Sequence, residues 1–144
     1  MSGLSPKLPV QKDSIDGFSL NKTYKDAIQQ NLKNLVLTAP GERIMDPDFG
    51  VGLRRFLFEQ NVIEVYELIE ERVESQVEIY MPFVEITEII FSTGASLDEF
   101  EQRRKVGNVL YNRDLSPNKV NVRIEYFVTS LGFFNVLEVP VTLV

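Results

Sequence analysis

The sequence predicts an α+β domain, with two main helices and a short one packed on a small, mainly antiparallel sheet. Three observations carry this. Two segments in the first 80 residues repeat apolar side chains at helical spacing. From residue 83 the spacing changes to the alternation of strands. The chain then ends in two β-rich runs separated by Ser130-Leu131-Gly132, a turn sequence.

At 144 residues the chain has the length of one domain, a size that buries about 68–70% of the surface its unfolded form exposes. Apolar residues make up 44% and charged residues 25%, which suits a folded chain rather than a disordered one. The net charge of −6 works against nucleic acid and anionic membrane as partners, and the basic clusters Arg54-Arg55 and Arg103-Arg104-Lys105 are short. The sequence has no Cys and no His, which removes disulfides, thiolate and imidazole metal sites and histidine-assisted nucleophiles together. No metal or cofactor is expected. No apolar run reaches the roughly 20 residues of a membrane span, and the start of the chain lacks the apolar core of a signal peptide. The chain is expected to be made and kept in a cytosol, or in a particle assembled there.

Residues 1–21 carry Gly3, Pro6, Pro9 and Gly17 among scattered apolar side chains without helical period, and read as an extended arm. Residues 22–144 form the single domain. Thr23 followed by Asp26 is a variant of the capping box, and Ala27, Ile28, Leu32, Leu35 and Val36 give an apolar stripe, so a helix is expected over about 22–38. Pro40 and Gly41 stop it. A short helical piece over 52–59 follows, in which Leu53, Phe56 and Leu57 share a side, and Phe49, Phe56 and Phe58 are expected to wedge into the core.

The cleanest helix is 62–80, with Val62, Val65, Tyr66, Ile69, Val73, Val77 and Tyr80 on one face and Pro82 as its stop. Its other face holds Glu64, Glu67, Glu70, Glu71, Glu74 and Glu78 against Arg72 alone. That is mildly unfavourable in an isolated helix and is more often a solvated surface than a docking surface for a basic partner. Residues 83–91 are β-branched and aromatic between Pro82 and Gly94. Residues 94–118 are polar, with capacity for a helical turn or two over 96–105, and read as a variable excursion, the most mobile part of the domain. Residues 120–129 then alternate strictly, with Val120, Val122, Ile124, Tyr126 and Val128 on one face. Phe134 to Val144 supply the partner strand, which Pro140 confines to an edge or to partial pairing. An apolar terminal strand on an edge with no blocking charge is suited to pairing with another chain, a reading slightly favoured over a buried terminal strand.

One connector is more elaborate than the fold requires. Between Thr38 and Gly50 the chain carries Pro40, Gly41, Pro47 and Gly50, the adjacent pair Glu42-Arg43, whose side chains diverge toward separate partners, and Asp46 and Asp48. Read as chemistry, Glu42 as general acid with Asp46 or Asp48 as second carboxylate would suit a glycoside hydrolase. Three acids in seven residues are common in turns, however, and no aromatic sugar platform accompanies them. No phosphate loop, dinucleotide fingerprint or metal-ligand cluster is present. The residues favour contact over turnover.

The order helix, Thr38-x-x-Gly41-Glu42-Arg43, Pro47-x-Phe49-Gly50, Leu53, Leu57-Phe58-Glu59, helix, strand and terminal hairpin resembles the baseplate-wedge and sheath-initiator family of contractile phage tails, which has small relatives in type VI secretion and other contractile injection machines. The resemblance covers about residues 22–91 and 118–144, and the Gly-Glu-Arg to Pro-x-Phe-Gly stretch is its most specific part. It implies a structural, non-enzymatic protein of the virion tail baseplate, assembled in the host cytoplasm. Wedge proteins would dock on Gly41, Glu42, Arg43, Pro47, Phe49 and Gly50. The tail sheath would pair with the strand bearing Phe134, Val136, Leu137, Val139, Val141 and Leu143, and tube or hub proteins are further partners. Members of this family have been taken for lysozymes, which keeps the Glu42 hydrolase as the alternative. The excursion at 94–118 and the proline-bearing arm depart from the family pattern.

Overall fold

A computed structural model describes residues 3–15, 17–56, 58, 63–92, 105–106, 109–110 and 119–142. Residues expected as an extended arm instead fold back on themselves. Strand β1 (Ser5–Pro6) pairs antiparallel with β4 (Leu20–Asn21), and β2 (Lys12–Asp13) pairs with β3 (Gly17–Phe18). A cluster of polar groups ties the arm to α1. Asn21, only 4% exposed, donates from Nδ2 to Ser5 Oγ and to Gln30 Oε1, each at 3.0 Å. Gln30 donates back to the Pro6 carbonyl at 2.9 Å and accepts from the Leu8 N–H at 2.9 Å. Leu8, Val10, Ile15 and Phe18 stay exposed.

Helix α1 (Tyr24–Leu37) begins as its capping residues require: Thr23 Oγ1 accepts from the Asp26 N–H at 3.1 Å, satisfying one of the orphan amides of the first turn. Its stripe Ile28, Leu32, Leu35 and Val36 is buried. Helix α2 (Leu53–Phe56) is a single turn that buries Leu53 and half-buries Phe56. Phe58, expected in the core, is 79% exposed. Helix α2 ends at Phe56, and Phe58 follows in a turn closed by its N–H on the Arg55 carbonyl at 3.3 Å. Helix α3 (Ile63–Tyr80) buries Tyr66, Ile69, Val73 and Val77, with Val65 and Tyr80 partly covered.

Pro82 turns the chain into β5 (Val84–Ser92), whose register on its neighbour shifts between Ile86 and Glu88. Thr87 is the extra residue of this bulge, and the bulge resets the alternation. Val84 and Ile86 face the core before it, while Ile89 and Phe91 do so after it. Short strands β6 (Lys105–Val106) and β7 (Val109–Leu110) follow, and then the hairpin of β8 (Lys119–Val128) and β9 (Phe133–Thr142). The sheet order is β6-β7-β5-β8-β9, antiparallel except for the single β5–β7 pairing at Phe91 and Val109. The helices cover one face, where Val122, Ile124, Tyr126 and Val128 of β8 meet Leu137, Val139 and Val141 of β9 in the core. β9 is the sheet edge that Pro140 demands. Leu57, Leu143 and the helical turn expected from 96 lie outside the described residues; of the excursion, 105–106 and 109–110 are described, as strands.

Candidate docking site

The connector between α1 and α2 is a closed elbow. Thr38 ends α1 by donating its N–H and its hydroxyl to the Asn34 carbonyl, at 2.9 and 2.6 Å. Gly41, at φ +89°, then donates its N–H to the Pro47 carbonyl at 2.8 Å, which draws residues 41–47 into a loop. Glu42 is exposed and folds back so that its Oε2 accepts the Ala39 N–H at 2.9 Å. The Arg43 guanidinium lies 3.6 Å from the centroid of the Phe49 ring, a cation–π contact, and Phe49 meets Tyr80 of α3 edge-on at 4.9 Å. Tyr80 closes the stack by donating its hydroxyl to Asp46 Oδ1 at 2.9 Å. Partial burial, then the hydrogen bond and charge of Asp46 and the charge of Asp48, push the Tyr80 hydroxyl above its ordinary value, with Arg43 opposing them. Both side chains of the adjacent pair Glu42-Arg43 thus have separate partners, as their divergence suggested.

The elbow is pinned from below by a residue that sequence reading missed. Gln76 sits among the apolar residues of α3, is 5% exposed, accepts the Gly50 N–H at 2.7 Å and donates to the Asp48 carbonyl at 3.2 Å. Arg72 reaches the Gly50 carbonyl at 3.4 Å, and the Val51 N–H donates to the Leu35 carbonyl at 3.0 Å. Gly50 has φ +110°, and a Cβ there would overlap the Thr38 carbonyl, so only glycine fits. The available signal was a polar side chain at core spacing, since Gln76 continues the helical step from Ile69 to Val73 on the buried face.

All six residues assigned to wedge docking therefore converge on this elbow, though in different roles. Glu42, Arg43, Gly41 and Pro47 are exposed, whereas Phe49 and Gly50 are buried and position the others. The tip also presents Ile44 and Met45, 95% and 96% exposed. An apolar pair isolated in a charged turn was the sequence signal for them. Beside the tip lies a groove of about 310 Å³ lined by residues including Asn31, Asn34, Arg43, Phe49, Tyr80 and Phe83. The carboxylates of the hydrolase alternative do not line it: Glu42 caps Ala39 and Asp46 holds Tyr80.

At the far end of the sheet, the backbone of β9 alternates between its neighbour and an edge that no other described strand covers. On the β5 side of β8, the Thr129 N–H bonds the Phe83 carbonyl at 3.0 Å, which assigns odd-numbered β8 residues to β5 and even-numbered ones to β9. Leu137, Val139 and Val141 therefore bond β8 and bury their side chains, while Phe134, Val136, Glu138 and Pro140 turn their amide groups to the edge. Pro140, with no N–H, fits that parity. So does the Val136 carbonyl, which accepts a long 3.5 Å bond from Gln29 of α1. Of the six residues assigned to strand pairing, Phe134 and Val136 lie on the free edge, three are interior, and Leu143 is outside the described residues; Glu138 joins the edge.

This architecture, a helix, an elbow, a second helix and a strand in succession, is matched by the family model for baseplate wedge protein gp25 over residues 22–96. The chain belongs to this family. That places it among the structural components of contractile-tail baseplates. The match contains α1, the elbow, α2, α3 and β5. Two solved structures share the fold over most of the chain. One is a Geobacter sulfurreducens protein provisionally described as a tail lysozyme, 23% identical over 88% of this chain and 96% of that one, with a TM-score of 0.63. The other belongs to the anti-feeding prophage (AFP) baseplate, 23% identical over 85% of this chain and 82% of that one, with a TM-score of 0.62. No curated protein sequence matches the chain.

Proposed function

We propose that this protein docks on the wedge core bundle of a contractile-tail baseplate through its elbow, and initiates sheath polymerisation by offering the free edge of β9 to the first sheath ring. Family membership supports the baseplate setting. The observation that carries the finer reading is the outward-turned backbone of Phe134, Val136 and Glu138 on a terminal strand. That is a row of outward groups of the kind an incoming strand uses, in which the Val136 carbonyl is met only by the long 3.5 Å bond from Gln29. At the elbow, Glu42 and Arg43 provide a carboxylate and a planar cation on a loop held rigid from beneath, with Ile44 and Met45 as apolar anchors.

Deleting β9 is a poor test, because it strips Leu137, Val139 and Val141 from the core. Glu138→Pro is cleaner. It removes one outward N–H, extends the pattern Pro140 already sets, and leaves the bonds to β8 in place. The folded chain should melt near the wild type yet fail to seed sheath on complete baseplates, and sheath growth at the normal frequency would refute strand templating. Glu42→Ala with Arg43→Ala should abolish capture of the wedge complex without unfolding the domain; retained capture would sink the elbow assignment. The lysozyme reading makes the opposite prediction, peptidoglycan turnover lost in Glu42→Gln.

A further inference from the structure

The sheet has a second open edge, remote from β9. Among the described residues the first half of β5 is paired on one side only. β8 occupies that side, and among the described residues the other side is met by β7 at Phe91 and by no strand ahead of it. The bond from Thr129 to Phe83 sets the parity: Glu85 bonds toward β8, and Val84 and Ile86 point their backbone outward. The Val84 N–H is used by the turn, donating to the Met81 carbonyl at 2.9 Å. Beyond the bulge Ile89 takes the outward direction, as Phe91 does where it meets β7. Ile86 and Ile89 therefore present amide groups to an edge that the described strands leave open.

A groove of about 470 Å³ runs beside this edge, between β5 and the C-terminal half of α3. Val77, Val84, Ile86 and Pro82 give it an apolar lining, and Glu74, Glu78 and Glu85 stand around it. Glu74 and Glu78 are one helical turn apart, a like-charge spacing that weakens a helix unless a cation comes between them. The nearest arginine on this helix, Arg72, is directed at the Gly50 carbonyl instead.

We propose that this groove takes an extended, basic segment of a neighbouring protein chain, added as a strand to the open edge of β5. The strand edge selects an extended backbone. The lining selects an apolar side chain over Val77, and the three carboxylates select Lys or Arg at the flanking positions, which alternate between the α3 side and the Glu85 side of the added strand. This contact is independent of both the elbow and β9.

The probe is a short peptide with a central Val flanked on each side by two lysines, which places Lys on both faces of the added strand, titrated into the full chain while amide exchange is followed by NMR. Saturable binding with slowed exchange at Ile86 and Ile89 is expected, and the same peptide with Glu in place of Lys should not bind. Replacing Glu74, Glu78 and Glu85 together by Gln, all exposed positions, should weaken binding about tenfold. The proposal is overturned by absence of saturable binding, by equal binding of the acidic peptide, or by an unaltered affinity in the triple variant. Protection at Phe134 and Val136 in place of Ile86 and Ile89 also overturns it, and would assign the peptide to β9.

Discussion

Gln76→Leu tests whether the elbow is rigid because α3 holds it. The change keeps side-chain bulk on a buried helix face but removes both hydrogen bonds, the 2.7 Å acceptance from the Gly50 N–H and the 3.2 Å donation to the Asp48 carbonyl. Gly50 is buried, so its N–H is left without a partner, which costs about 1–3 kcal/mol; the longer bond to Asp48 adds about 0.5–1 kcal/mol. The total of roughly 2–4 kcal/mol is well inside the usual 5–15 kcal/mol of a domain, so the variant should fold. It should melt roughly 4–16 °C lower, at the usual 2–4 °C per kcal/mol for a chain of this size. Urea denaturation gives the free energy, and hydrogen exchange gives its location: the Gly50 amide should lose protection more than amides in the β8–β9 hairpin. A variant within about 0.5 kcal/mol of wild type, with Gly50 still protected, would show that the elbow is held by its own turn and not by α3.

Two glycines of the elbow should respond differently to alanine. Gly41→Ala meets open space and pays only for its φ of +89°, about 1–2 kcal/mol, whereas Gly50→Ala adds overlap with the Thr38 carbonyl and should cost about 3 kcal/mol or more; equal losses in denaturant melts would contradict the packing. Stability should fall at high pH. The phenols of Tyr126, raised by burial against the bond from Asn135, and of Tyr80 both have folded values above the ordinary 10.0. The neutral form is thus favoured by the fold, its contribution is intact below pH 10, and it is lost as pH rises through the folded values. Tyr126→Phe should flatten that alkaline fall in pH-dependent melts, and an unchanged pH profile would count against burial of the phenol as its cause.

The sequence made the helices legible because their apolar stripes repeat over many turns, and Thr23, Pro40 and Pro82 mark where they begin and end. It made β8 legible because its alternation is unbroken. The bulge at Thr87 was not legible, since one inserted residue resets the alternation in a run where nearly every side chain is apolar or β-branched. The fold of the arm is hidden for a related reason. What closes it is a polar clasp between Asn21, Ser5 and Gln30, and hydrogen bonds between distant polar residues leave no periodic trace. At the elbow the sequence singled out the stretch but not its mechanics. Arg43 on Phe49 and Gln76 under Gly50 are contacts that exist only once the loop has closed and α3 is packed.

The two edges that the described strands leave open are guarded differently, and the difference bears on which partners each could accept. Identical copies of this chain face like charges when two β5 edges approach, because Glu74, Glu78 and Glu85 meet their own counterparts, and like charges directly opposite each other destabilise a pair. That edge therefore discriminates by charge: it rejects itself and stays open to a basic strand. The β9 edge has one carboxylate, Glu138, and relies on Pro140 and on Gln29 at the Val136 carbonyl. These limit the register and length of an added strand without choosing its charge. An edge that limits length and register suits a repeated, geometrically fixed addition, whereas an edge that selects charge suits a single dedicated neighbour. On the two proposals above, the β5 edge would refuse an acidic strand while the β9 edge would sort strands by length and register alone, so a basic peptide that protects Phe134 and Val136 is the result that would merge the two sites.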